Sequence, residues 1–319
     1  MDTIIIDGLS FALPLFIMAI GGIYSEKSGI TNLAIEGLQG FGAFVGALTV
    51  VLFSKFANME VQSLFYVALI FSMLGGMVYS MLHALLCINF KANQVISGVV
   101  INILAAALTV FLTTQVNSLM FGAVSDKFQL GVSNRFTIPV LSSIPVIGAM
   151  FKSIYPFEIV IVVIAFIAWY VLYKTRYGLR LRACGDNPHS VDAAGVEVSK
   201  IRFKAVMVSG ALSGLGGMCF AYSISANFSP SIYMGYGYLA IAALIFGNWK
   251  ILPTLGACLL FGFAKSGGYK LGQVLELPST FSDLIMILPY VLTLLLLIFF
   301  SKSNRSPRAL GEIYDKGKR

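Results

Sequence analysis

Polar side chains that interrupt long apolar runs are the residues of this chain best suited to touch a solute. Asn32 and Glu36 belong to Gly21-Gly22-Ile23-Tyr24-Ser25-Glu26-Lys27-Ser28-Gly29-Ile30-Thr31-Asn32-Leu33-Ala34-Ile35-Glu36-Gly37. Gln94 and Asn102 belong to Lys91-Ala92-Asn93-Gln94-Val95-Ile96-Ser97-Gly98-Val99-Val100-Ile101-Asn102. A carboxylate or amide within an apolar span is costly, and it faces a partner or a wet cavity. Such groups hydrogen-bond a solute without breaking bonds, so Asn32, Glu36, Gln94 and Asn102 are the expected lining of a solute pathway. Several of the polar groups in these stretches keep a structural alternative. Glu36 also fits a helix-positioning role, Asn102 fits glue between helices, and Glu26 with Lys27 fits a turn at the membrane surface. Asn93 is placed to cap a helix. Tyr236-Gly237-Tyr238 with Gly247-Asn248-Trp249-Lys250 offers either interfacial anchors or a platform for a planar solute.

Bond-making chemistry has no footing in the sequence. His83 and His189 are the only histidines, and neither has an acid and a nucleophile at a suggestive spacing. HExxH, GxSxG and GxxxxGK[ST] do not occur, so ATP hydrolysis is expected on another chain and an enzyme is not expected here. Cys87, Cys184, Cys219 and Cys258 lie far apart, without CxxC or Cys/His ligand spacing. They read as buried thiols; neither a metal nor a cofactor is expected.

The elements that must hold these residues follow from composition. The chain is 58% hydrophobic and 11% charged, with mean hydropathy +0.86, where soluble domains carry roughly 25% charged residues. Only lipid can solvate that much apolar surface. The net charge of +8 sits beside apolar spans, the bias of cytoplasmic loops, and calls for no nucleic acid polymer. The first apolar run lacks a cationic leader and a small-residue cleavage site, so it reads as a retained span.

At about 20 apolar residues per crossing, nine segments appear, near 3–23, 29–53, 62–87, 94–112, 157–173, 203–224, 236–247, 250–268 and 281–300. The segment at 236–247 is short enough to be a half-helix. The expected fold is therefore an all-α polytopic membrane protein of about nine transmembrane segments, some broken or re-entrant, with membrane lipids around it. Glycines at packing intervals, Gly42 with Gly46 and Gly210 with Gly214, predict close helix contacts. The stretch from Thr113 to Pro156, with three prolines, is long enough for an interfacial element.

Two basic clusters set the orientation: the polar island at 174–204 and the tail at 302–319. Both are expected in the cytoplasm, and four crossings between them keep that consistent. Five spans before the island put the N-terminus outside. Within the island, Asp186 or Asn187 can cap a helix that starts at Pro188 and ends at Gly195. Val191 and Ala194 share one face of it, small enough for a partner's groove. The plainer alternative is a capped loop helix whose basic flanks meet lipid headgroups.

Gly185-Asp186-Asn187-Pro188-His189-Ser190-Val191-Asp192-Ala193-Ala194-Gly195, followed by the segment from Ile201 to Gly217, resembles the coupling region of bacterial ABC importer permeases. The relevant group comprises branched-chain amino acid, ribose and nucleoside permeases. Ser25–Gly37, Ala92–Gly98, Ile241–Trp249 and Ser306–Asp315 resemble its nucleoside branch, in the shorter of two permease subunits. The resemblance spans nearly the whole chain. It implies a transmembrane permease domain over 1–301 with a coupling loop at 174–204, and a cytoplasmic basic tail over 302–319. It also implies a bacterial cell membrane, a second homologous permease subunit, an ABC ATPase subunit and an extracytoplasmic substrate-binding lipoprotein. Gly185, Asp186, Asn187, Pro188, Asp192, Ala193, Ala194 and Gly195 become the expected ATPase-coupling residues. Nucleosides are the expected cargo, with ribose-like sugars or branched-chain amino acids as alternatives on the same framework. Tyr24 and Lys27 stand where the branch often shows Phe and Arg, and the usual EAA-type consensus survives only as Asp192-Ala193-Ala194-Gly195. The rival is an ion-coupled secondary transporter, in which Glu36 carries a proton or cation.

Overall fold

Apolar runs in lipid must satisfy their own backbone groups, and here they do so as helices. The computed structural model describes residues 2–57, 59–131, 134–144, 147–231, 234–276, 287–295, 298 and 305–317. In chain order the helices are α1 (Asp2–Lys27), α2 (Ile35–Phe56), α3 (Phe65–Ala84, continued by a π-helical turn Leu85–Asn89) and α4 (Gln94–Phe121). There follow α5 (Pro139–Ser142), α6 (Pro156–Lys174), α7 (Arg176–Asp186), α8 (Pro188–Ala193), α9 (Val198–Ile224), α10 (Tyr236–Phe246) and α11 (Ile251–Val274). Among the described residues seven helices, α1, α2, α3, α4, α6, α9 and α11, are long and apolar enough to cross a membrane. The protein is a multi-pass, mostly helical membrane protein.

The expectation of nine spans is met only in part. The segment at 236–247 forms α10, 11 residues or about 16 Å of rise, half a crossing. Half of the segment at 281–300 lies outside the described residues, while 287–295 are helical. The span expected at 94–112 runs on to Phe121, where Gly122 in the left-handed region (φ 64°) ends it. The remainder of the 113–156 stretch holds α5, a short 3-10 turn (Ile147–Phe151) and β1 (Phe128–Gln129), which pairs antiparallel with β2 (Asn227–Phe228).

Helix α9 is the hub, buried along most of its length and packed on α1, α2 and α3. Its Gly210 and Gly214 meet Gly76 on α3 and Gly42 on α2. A Cβ on Gly42 would collide with the Gly214 Cα, and one on Gly76 with the Gly210 carbonyl oxygen. The glycine spacing thus marks a three-helix contact where backbones touch, which supplies dispersion where lipid offers no hydrophobic drive. At the margin, α4 and α6 expose Val99, Ile103, Phe111, Val162 and Phe166.

One end of the bundle holds the start of α1, where Asp2 pairs with Lys152 at 2.8 Å, and the β1–β2 pair. The other end holds α7, α8 and residues 305–317. There the Ala309 N–H donates to the Gly185 carbonyl at 2.8 Å. The island and the described part of the basic tail, residues 305–317, therefore lie at one end.

Candidate functional site

The chain leaves α1 at Lys27, runs unwound through residues 28–34, and resumes as α2. All four expected pathway residues gather around this interruption. The Gln94 Oε1 accepts from the Thr31 N–H at 2.7 Å. The Asn32 side chain donates to Ser209 Oγ at 2.8 Å and accepts from the Ala34 N–H at 3.1 Å. Asn102 accepts from the Gly37 N–H at 2.8 Å and donates to the Leu33 carbonyl (2.8 Å) and Tyr238 Oη (3.0 Å). Unwound backbone at membrane depth needs such partners, since no water supplies them.

Glu36 holds a second interruption. Its carboxylate accepts from the Gly235 N–H at 2.5 Å and the Gly237 N–H at 2.7 Å, at the start of α10. Gly235 has φ +97°, which glycine adopts without strain, and this turns the chain into the half-helix. A negative charge suits a helix N-terminus, whose first N–H groups lack partners. Glu36 and Asn102 line a cavity of about 240 Å³ with Thr109 and Tyr238; Asn32 and Gln94 are not in its lining.

Two further latches carry no obvious sequence signal. His83, fully buried, bridges Ser97 Oγ (2.9 Å) and the Thr31 carbonyl (3.2 Å) through its two ring nitrogens. Glu26 is buried and accepts from Trp249 Nε1 at 2.5 Å, so it is an interior anchor and not part of a surface turn.

The island is more structured than its sequence suggested. Helix α7, not anticipated, is capped by Thr175, whose Oγ1 accepts from the Gly178 N–H at 3.2 Å. It buries Leu181, Cys184 and Gly185 and exposes Arg176, Leu179 and Arg180. Burial pushes the Cys184 thiol up to about 11 and the Tyr177 hydroxyl to about 12, so neither titrates near neutrality. Helix α8 follows as expected: Asn187 Oδ1 accepts from the Ser190 N–H at 3.0 Å, Pro188 fills the first position, and Gly195 closes the segment at φ +77°. Val191, expected to face a partner, is instead buried against the bundle. A short helix flanked by spans must seat its apolar residue on them. Gly185 and Pro188 are buried too, and a Cβ on Gly185 would strike the Lys27 carbonyl oxygen. Asp186, Asn187, Ala193, Ala194 and Gly195 form the exposed side, with Asp192 half-buried and 3.7 Å from Lys316 Nζ.

Residues 305–317, most of the expected basic tail and including the branch-like Ser306–Asp315, make a strap across this end. The Arg305 N–H donates to Asn248 Oδ1 (2.9 Å) and the Gly311 N–H to the Gly29 carbonyl (3.0 Å). Lys91 pairs with Asp315 at 3.0 Å. Arg202 is buried beneath the strap, donating to the Ser28 carbonyl (3.0 Å) and the Glu312 carbonyl (3.1 Å). Sequence counted Arg202 only as one basic residue among many. Among the described residues no cluster of three or more His, Cys, Asp or Glu is placed to hold a metal.

The arrangement is a polar core built on broken helices, with a helix-bearing platform at one end. The family model described as "branched-chain amino acid transport system / permease component" matches residues 4–298. The guanosine ABC transporter permease protein NupQ of Bacillus subtilis is 40% identical over 98% of this chain and 96% of its own length. The nucleoside ABC transporter permease protein NupC of Lactococcus lactis is 38% identical over 100% of this chain and 98% of its own. A second Bacillus subtilis protein, the guanosine ABC transporter permease protein NupP, is 25% identical over 95% of this chain and 82% of its own. No solved structure matches the chain. The chain belongs to this family of ABC transporter permeases, and its relatives are named as permeases, not as enzymes.

Proposed function

We propose that the chain is one half of the translocation pathway of a nucleoside importer driven by an ATPase on another chain. The observation that carries the reading is end-to-end similarity to two permeases named for guanosine and nucleoside transport. Supporting it, the segments that resemble the nucleoside branch touch one another: Gln94 meets Thr31, Trp249 meets Glu26, and Gly311 meets Gly29. The end bearing the island and strap faces the cytoplasm, and the start of α1 faces outward. A second, homologous permease completes the pathway against exposed spans. A substrate-binding lipoprotein delivers solute from outside.

In this mechanism an ATPase docks on the exposed residues of α7 and α8, with Asp186, Asn187, Asp192, Ala193, Ala194 and Gly195 at the contact. Gly185 and Pro188 transmit the motion inward. The route is short, because the backbone of Gly185 lies against that of Lys27 and Gly29 at the α1–α2 break. Nucleotide must bias two access states differently, since binding alone pumps nothing. Asn32, Glu36, Gln94 and Asn102 hold the break that this motion reaches, and Glu36 and Asn102 touch its cavity. Glu36 already accepts two backbone N–H groups, which suits a neutral cargo better than ion coupling.

The test is initial uptake of labelled nucleosides, ribose and branched-chain amino acids in a strain lacking this gene, with and without the restored chain. Restored nucleoside uptake that requires the ATPase is expected. Restoration of ribose or amino-acid uptake alone would replace the cargo. Uptake by the chain without ATP or an ATPase would establish the ion-coupled rival.

A further inference from the structure

At the end of the bundle that holds the N-terminus, a cavity of about 520 Å³ opens between α1, α10 and α11. That volume lies within the roughly 300–1,000 Å³ usual for small-molecule sites. Its walls include Asp7, Ser10, Phe11, Tyr236, Lys265 and Tyr269. A second cavity of about 210 Å³ shares Phe11, Tyr236 and Lys265 with it. These three residues therefore form the wall between two spaces, and the Tyr236-Gly237-Tyr238 step presents Tyr236 here and Tyr238 to the Glu36 cavity.

Lys265 is the unusual member. It lies fourteen residues into α11, about 21 Å along the helix axis, where a cation is costly. Among the described residues no carboxylate lies within ion-pair distance of it. Its Nζ donates to Tyr236 Oη at 2.5 Å and lies 3.9 Å from the Phe11 ring centroid and 4.3 Å from that of Tyr236. A snorkelling lysine would extend to the interface; this one is held by aromatic faces. An ammonium group has three donors and no acceptor, and Tyr236 takes one. The neutral rings attract the cation without satisfying the other two N–H groups.

We infer that Lys265, framed by Phe11 and Tyr236, is a recognition group for the ring carbonyl of a nucleobase entering from this end. The inference rests on the nucleoside reading above and adds the atoms that read the cargo. The Lys265 amine in its protonated form, which only donates, matches the adjacent O6 and N7 acceptors of an oxopurine and the carbonyls of uracil. Adenine sets an amino group, itself a donor, beside N7, and so offers this cation a worse partner. Aromatic walls accept any planar base, so the lysine supplies the discrimination.

The experiment uses the assembled importer in proteoliposomes, with both permeases, the ATPase and one unchanged binding protein. Initial uptake of guanosine, inosine and uridine is divided by that of adenosine, with free ribose as a competitor. For Lys265→Met the oxo-base rates are expected to fall about tenfold or more, the scale of a lost charged hydrogen bond. Adenosine uptake falls less, so the ratio drops, and Lys265→Arg keeps the ratio. Copurification of the ATPase reports assembly; should Lys265→Met not assemble, Lys265→Gln and Tyr236→Phe are read by the same ratio. An unchanged ratio, or an equal fall for every nucleoside, overturns the inference and leaves the cargo reading intact. Ribose competition that Lys265→Met abolishes would move the contact to the sugar and also overturn it. A wild-type importer that carries no nucleoside removes the cargo reading and this inference together.

Discussion

The two ends of this bundle are built on opposite plans. At the island end, residues from α1, α7, α9, the α10–α11 turn and the strap are joined by backbone hydrogen bonds and a buried arginine. At the opposite end, α1, α10 and α11 diverge around a cavity with a lysine resting on aromatic rings. The difference follows from the work proposed for each end. A platform that receives force transmits it only if its parts cannot slip, and backbone-to-backbone contacts supply that rigidity. A chamber that receives solute must leave some donors and acceptors unspent. Damage at the island end should therefore act on coupling for every cargo alike, whereas damage at the other end should sort cargoes.

The largest expected effect is at Gly185. Any side chain there displaces the Lys27 backbone, and Gly185→Arg adds a charge as well. ATP-driven uptake is expected to fall below detection for all nucleosides while insertion into the membrane persists. Quantitative immunoblotting of membranes alongside uptake checks this, and normal uptake would break the comparison at its strongest point. Arg202→Met comes next. It removes the donors that join the Ser28 and Glu312 carbonyls, and hydrogen bonds to charged groups contribute about 1.5–3 kcal/mol each. Uptake is expected to fall about tenfold, with the detergent-solubilised melting temperature lowered and no change in cargo ratios. A shifted ratio would mean that the two ends are not separable.

Glu36→Gln probes the boundary between the ends. The amide keeps one carbonyl oxygen for the Gly235 or Gly237 N–H and leaves the other donor short, at about 1–3 kcal/mol. Uptake is expected to fall a fewfold with an unchanged pH profile, because the carboxylate serves to hold α10. Loss of a proton-gradient dependence in this variant would instead favour the ion-coupled rival.

What the sequence displayed and what it hid divide along physical lines. Long apolar runs, glycine pairs and capping residues act locally, so most of the spans, close packing at the glycines and α8 were legible, whereas that Gly42 meets Gly214 was not. The polar residues of the 25–37 and 94–102 stretches were legible as costly in lipid, and the structure gathers Asn32, Glu36, Gln94 and Asn102 around helix breaks. Their partners were not legible, because backbone N–H groups of an unwound segment leave no mark in residue type. Arg202 and Lys265 were hidden for another reason: each is one basic residue among 22, and only tertiary packing shows that Arg202 is buried under a strap and Lys265 lies against rings. Val191 was misread because a shared helix face says nothing of which way it points.

The smallest expected effect tests whether capping at the island end matters at all. Asn187→Ala removes the side-chain oxygen that accepts the Ser190 N–H and with it about 1 kcal/mol of helix stability. Helix α8 is only six residues long, so it has little reserve of its own. Yet Pro188 and Val191 remain seated on the bundle, which limits fraying to the first turn. Uptake is therefore expected to fall about two- to fivefold, and Asn187→Ser, which keeps a capping oxygen, is expected to recover most of it. Because Asn187 is also exposed on the proposed docking surface, the serine variant separates the two roles. If serine fails where the cap is preserved, Asn187 acts through contact with the ATPase; if it recovers, the order of α8 is what the platform needs.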